Sequence, residues 1–80
     1  MITIEVALFA TLRKYRPDDP KGGTFRMEVA DGATVAELLD LLGIPPAQTK
    51  LIFVNNVGRD EDHVIKADER VAIFPPVAGG

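Results

Sequence analysis

Residues 2 to 9 alternate, with Ile2, Ile4, Val6 and Leu8 on one parity and Thr3, Glu5, Ala7 and Phe9 on the other. Successive side chains of a strand point to opposite faces, so this pattern predicts a half-buried β-strand. The alternation returns at Thr24, where Phe25, Met27 and Val29 share one face and Thr24, Arg26 and Glu28 the other. That predicts a second strand, antiparallel to the first. Between the two, Ala10 to Tyr15 allows a short helical turn. Arg16-Pro17-Asp18-Asp19-Pro20-Lys21-Gly22-Gly23 then gathers the proline, glycine and charge typical of a mobile loop.

Past a turn at Asp31-Gly32 the period changes. Thr34 with Glu37 three residues on is the signature of a capping box, in which each side chain satisfies a backbone donor of the first helical turn. Val35, Leu38, Leu39 and Leu42 then recur at helical spacing, with Glu37 and Asp40 facing away. Gly43 stands where a left-handed cap belongs, and Pro45-Pro46 blocks continuation. Lys50 to Val54 predicts a third strand, and Asn55-Asn56-Val57-Gly58 supplies residues that tolerate positive φ in a tight reversal, with room for a short fourth strand. Arg59 to Asp62 is charged and solvated, Ala67-Asp68-Glu69 turns the chain, and Val71-Ala72-Ile73-Phe74 makes the last strand. The order strand, strand, helix, strand, short strand, strand predicts an α+β roll. One helix packs across a mixed sheet whose first and last strands lie side by side at its centre.

Composition narrows this to a single domain over residues 1–80, because 80 residues with 46% hydrophobic content suffice for one core. With no cysteine there is no disulfide, thiolate metal site or cysteine nucleophile, and stability rests on packing. No apolar run approaches the roughly 20 residues that span a bilayer. The start of the chain lacks the pattern of a secretory signal, so a cytoplasmic location without membrane attachment is expected. The net charge of −3 argues against nucleic acid and favours a basic protein partner.

Little in the body of the chain suggests chemistry. His63 is the only histidine and has no second imidazole or thiol to join it in a metal site, so a surface or packing role is expected. Asp60, Glu61 and Asp62 lack the ligand spacing and closing glutamate of a calcium loop. Gly22-Gly23 leads into a strand pattern rather than the helix start of a phosphate loop. No resident catalytic site, bound cofactor or metal is expected.

The end of the chain differs. Phe74-Pro75-Pro76-Val77-Ala78-Gly79-Gly80 leaves a strand, stiffens through two prolines and finishes in two glycines. Prolines cannot donate to a ladder, so the strand should stop near Phe74 and residues 75–80 should project as a tail. Four residues beyond Pro76 reach roughly 13–14 Å, enough to thread a narrow channel in a partner. Glycine at the tip leaves the last carbonyl open on both faces. Its carboxylate is ionised at neutral pH and resists nucleophiles until activated, most simply as an acyl-adenylate made from ATP. A frayed terminus is the plain alternative.

Three stretches, Leu8-Phe9-Ala10-Thr11-Leu12-Arg13, Thr34-Val35-Ala36-Glu37-Leu38-Leu39 and Asp68 through Gly80, resemble the MoaD/ThiS family of ubiquitin-like sulfur carriers. Phe-Pro-Pro-Val-x-Gly-Gly is most similar to the small subunit of molybdopterin synthase. The resemblance implies a β-grasp fold and a carboxylate at Gly80 that an adenylating enzyme activates at the expense of ATP, with sulfur then replacing the adenylate. Gly79 would give access to it. It also implies transfer of sulfur from this thiocarboxylate within the large synthase subunit, during molybdenum cofactor synthesis. Related carriers serve thiamine and other sulfur pathways, and ubiquitin-like modifiers share the same ending. The chain departs from the family's usual pattern in the loop at residues 16–23 and in Asn55-Asn56-Val57-Gly58-Arg59. Parity adds an independent expectation: with Ile2, Ile4, Val6, Leu8, Val71 and Ile73 facing the helix, Phe9 and Phe74 share the opposite face. Leu51 and Phe53, or Ile52 and Val54, would extend it. This face, continued by Pro75, Pro76 and Val77, is the expected partner-binding surface, unless the two rings only cover each other.

Overall fold

The computed structural model describes residues 1–15 and 24–76. The loop expected at residues 16–23 and the tail calls at Val77, Gly79 and Gly80 lie outside the described residues. Strands β1 (Ile2–Leu8), β2 (Thr24–Val29), β3 (Leu51–Val54), β4 (Val57–Gly58) and β5 (Arg70–Phe74) form one sheet in the order β2-β1-β5-β3-β4. β1 runs antiparallel to β2 and parallel to β5, and β3 is antiparallel to β5 and to β4. The mixed sheet with adjacent first and last strands is thus the one the alternation predicts.

Helix α1 (Val35–Leu42) packs its Val35, Leu38 and Leu39 against the sheet. Beneath it Ile4, Val6, Leu8, Val71, Ile73, Ile52 and Val54 are buried, with Phe25 and Val29 of β2 and Ile44 and Ile65 of the connections closing the core. All are apolar, and no polar or charged residue is buried among the described residues.

The capping differs in detail from the expected reciprocal box. The Thr34 hydroxyl accepts from the Glu37 N–H at 3.2 Å, but the Glu37 carboxylate lies 3.4 Å from that same hydroxyl instead of reaching back to the backbone. The other donors of the first turn find tertiary partners: the Val35 and Ala36 N–H groups go to the carbonyls of His63 and Glu61, at 3.0 Å each. At the other end Gly43 takes φ 76° and closes the helix as expected. Asn55 and Asn56, at φ 52° and 68°, form the reversal between β3 and β4. Both φ values are those a two-residue hairpin needs to match strand twist.

Candidate functional site

Because β1 and β5 run parallel with Leu8 beside Ile73, the next residues, Phe9 and Phe74, emerge together on the face away from α1. Their rings stack with centroids 4.3 Å apart and planes 6° from parallel. Phe53 of β3 pairs with Ala72, which puts it diagonal to Phe74, and its ring meets Phe74 edge-on at 5.7 Å and 88°. Offset stacking and edge contact are the two arrangements that aromatic quadrupoles favour. Phe9 and Phe74 cover each other, yet each stays half-buried.

The stacked pair forms a ridge between two hollows. One, of about 300 Å³, is lined by Phe9, Phe53, Asn56, Arg70, Ala72 and Phe74. The other, of about 440 Å³, borders Phe9, Ala10, Lys50, Leu51, Phe74 and the two prolines. Ala72 provides the depth of the first, being the small residue between larger ones. The last ladder bond of β5 runs from the Lys50 N–H to the Phe74 carbonyl at 2.8 Å, so Lys50 continues the pairing that Leu51 begins. Pro75 is half-buried and Pro76 exposed, and both wall the larger hollow.

Charge here runs against the total. The net charge of −3 favours a basic partner, yet the charged residues lining the two hollows are Lys50 and Arg70, and no carboxylate lines either among the described residues. Arg70 is paired with Glu5, whose Oε2 lies 3.5 Å from Arg70 Nε across β1 and β5.

His63 has a packing role. Its Nε2 lies 3.3 Å from Glu69 Oε1, its side chain is mostly buried, and its carbonyl caps α1. Glu69 also accepts from the Lys66 N–H at 2.6 Å, which folds the loop before β5 onto itself. Asp60, Glu61 and Asp62 are exposed. No group of three or more potential ligands that could hold a metal ion occurs among the described residues, and no helix among them is long and apolar enough to cross a membrane.

Sequence parity brings Phe9 and Phe74 together but does not single out Phe53. The signal for Phe53 was the Asn55-Asn56 turn, which fixes the end of β3 and with it the parity that faces the rings. For Ala10, Asn56 and Arg70 in the hollows there was no local signal.

Comparison with curated proteins gives no match. Among solved structures the chain is similar to SAMP1 from Haloferax volcanii, at 28% identity and TM-score 0.70, over 98% of this chain and 99% of that one. It is also similar in fold to a chain in the complex of subunits 1 and 2 of molybdopterin-converting factor from Helicobacter pylori, at 20% identity and TM-score 0.62, covering 99% of this chain and 100% of that one. A ubiquitin of Caldiarchaeum subterraneum aligns at 15% identity and TM-score 0.59, over 99% of this chain and 98% of that one. The fold is the ubiquitin-like β-grasp. The ThiS family model matches residues 6–80, from within β1 to the final glycine, and the chain belongs to the ThiS family.

Proposed function

We propose that the chain is a sulfur carrier that acts as the small subunit of molybdopterin synthase. The Gly80 carboxylate attacks the α-phosphorus of ATP within a partner adenylating enzyme, giving an acyl-adenylate and pyrophosphate. A sulfur nucleophile then displaces AMP, leaving a thiocarboxylate, and the large synthase subunit takes up the tail and passes the sulfur to its substrate. The carrier contributes the handle and the docking surface; the catalytic groups belong to its partners. Phe9 and Phe74 anchor the partner, Pro75, Pro76 and Val77 lead the chain into its channel, and Gly79 lets the backbone pass the constriction.

One observation carries this reading: the aromatic ridge with its two hollows ends at Pro75-Pro76, so a protein seated on the ridge meets the last described residues before the Gly-Gly end. Intact mass after co-expression with an adenylating enzyme and a sulfur source tests it, since exchange of oxygen for sulfur adds about 16 Da. Isopeptide-linked products in place of that gain would identify a protein modifier, the reading favoured by the likeness to SAMP1, a small archaeal modifier protein. Sulfur loading without stimulation of molybdopterin formation would point to the thiamine or another sulfur-transfer pathway.

A further inference from the structure

β2 is an outer strand of the sheet, and its edge is six residues long, without proline or a break in its register against β1. The opposite outer strand, β4, has only two residues. A long unpaired edge is a template for another strand, and proteins keep it unused by shortening, bulging or charging it. On β2 only charge is present, in the exposed Arg26 and Glu28. Which backbone groups face outward follows from the pairing of β1. The Glu5 N–H donates to the Glu69 carbonyl at 3.0 Å, the Phe9 N–H to the Ile73 carbonyl at 3.3 Å, and the Asp68 N–H to the Thr3 carbonyl at 2.8 Å. The odd residues of β1 thus direct their backbone groups to the β5 side. Ile2, Ile4 and Val6 are left to bond β2 through their opposite residues Val29, Met27 and Phe25. Thr24, Arg26 and Glu28 therefore turn their N–H and C=O groups to the outer edge, where no strand pairs with them among the described residues.

A second strand pairs antiparallel with this edge only by matching its own outward residues to these. For two copies of β2 related by a two-fold axis, only two registers overlap by more than three residues, one centred on Arg26 and one on Met27. The first sets arginine directly opposite arginine, which is unfavourable. The second sets Arg26 opposite the other copy's Glu28, and does so twice, because the two-fold axis repeats every contact. On the side that carries α1, the same register places Met27 beside Met27 and Phe25 beside Val29. These residues already belong to the margin of the core: Phe25 and Val29 are buried, and half-buried Met27 packs against it. We propose that two copies of this chain associate edge to edge through β2, antiparallel and centred on Met27. The charges that keep other strands off this edge are complementary to themselves. The edge lies on the far side of β2 from β5 and the aromatic ridge, so the association is independent of the proposed function. One strand pair makes a small contact, of the transient class below about 1,200 Å², so the dimer forms at high chain concentration and dissociates on dilution.

Sedimentation velocity of the purified chain alone, over a dilution series from about 1 mM downward, should show a monomer–dimer equilibrium. Arg26→Glu and Glu28→Arg each turn the two unlike pairs into like pairs, and each should weaken self-association at least about tenfold. Mixed in equal amounts, the two variants should associate with one another at least as tightly as the parent does with itself. One chain then carries two acids at the paired positions and the other two bases. Recovery on mixing cannot come from a folding defect, and thermal melting of each variant alone records any such defect. Hydrogen exchange reads the register: on concentrating the parent, the Arg26 and Glu28 amides should slow, while those of Phe25 and Met27, directed to β1, should change little. A monomer at every concentration overturns the proposal. So does a dimer that neither single variant weakens, one that mixing fails to restore, or one in which exchange at Arg26 and Glu28 is unchanged. A dimer lost in Phe74→Lys but kept in both edge variants overturns it by placing the contact on the aromatic ridge.

Discussion

On the face of the sheet that carries α1, Ile4, Val6, Leu8, Val71 and Ile73 are sealed from solvent, whereas the opposite face of the same strands keeps Phe9, Phe53, Ala72 and Phe74 half-buried. Both faces are apolar at their centre. What separates them is the cover: a helix with three buried residues lies on one, and on the other the rings stack on each other and leave a hollow at each side. A core is built to have no vacancy, because a missing methylene leaves a cavity that costs stability. A docking face keeps its vacancies for another protein. In the proposed function the alternation of a single strand therefore serves both core and docking face, and a one-residue slip of β5 would exchange them.

The largest expected effect comes from a change that alters neither face. Deletion of Gly80 should abolish sulfur transfer while leaving the melting temperature and circular dichroism unchanged, since both faces of the sheet stay whole. A chain that loses Gly80 and still accepts sulfur would overturn the role given to its carboxylate. Next in size is a change on the covered face. Ile73→Ala should cost about 2–5 kcal/mol of stability, a large share of the roughly 4–12 kcal/mol available to a domain of this length. Urea denaturation would measure it, and partner binding should fall only in proportion to the unfolded fraction. The open face should respond in the reverse sense. Phe9→Lys and Phe74→Lys are expected to weaken partner binding by about 1–2 kcal/mol each, as for a desolvated aromatic anchor, with a smaller loss of stability than Ile73→Ala. Calorimetric titration beside thermal melting gives both numbers for each variant. If Phe74→Lys unfolds the chain and leaves the residual affinity intact, the rings belong to the core.

How much of this was readable beforehand follows from the range of the interactions. Parity along β1 and β5 is local, and it placed Phe9 and Phe74 on one face without any knowledge of pairing. Gly43 and the Asn55-Asn56 turn were legible because positive φ selects residue types strongly. Ala10 was not, since its left-handed backbone is imposed by Leu12 and Ile73 from outside and leaves no mark in its own identity. The partners of the first helical turn were not legible for a similar reason: the Val35 and Ala36 N–H groups donate to carbonyls of His63 and Glu61, which are distant in sequence. Charge was misleading in its sum, because −3 over the chain says nothing of where Lys50 and Arg70 stand. Summation discards position, and docking depends on position.

The smallest effect expected under the proposed function concerns how the open face would hand a partner on to the tail. Pro75 and Pro76 follow β5 directly and line the larger hollow, so they belong to the surface and to the tail together. Their rings fix φ and reduce the directions the following residues can take, which lowers the entropy lost when the tail enters a channel. Replacing both by glycine frees two residues, each adding up to about 1–2 kcal/mol of ordering cost, less where the tail keeps a bias of its own. The ridge of Phe9, Phe53 and Phe74 is untouched by the change, so the partner should still find the face but complete the complex less often. The expected result is weaker complex formation and slower loading at low partner concentration, with the final thiocarboxylate yield restored when the partner is in excess. Intact mass followed over time at two partner concentrations reads both. Loading that stays slow at saturation would mean that the prolines position the carboxylate itself. A rate equal to the parent's at both concentrations would reduce them to strand terminators, with the ridge alone aligning the tail.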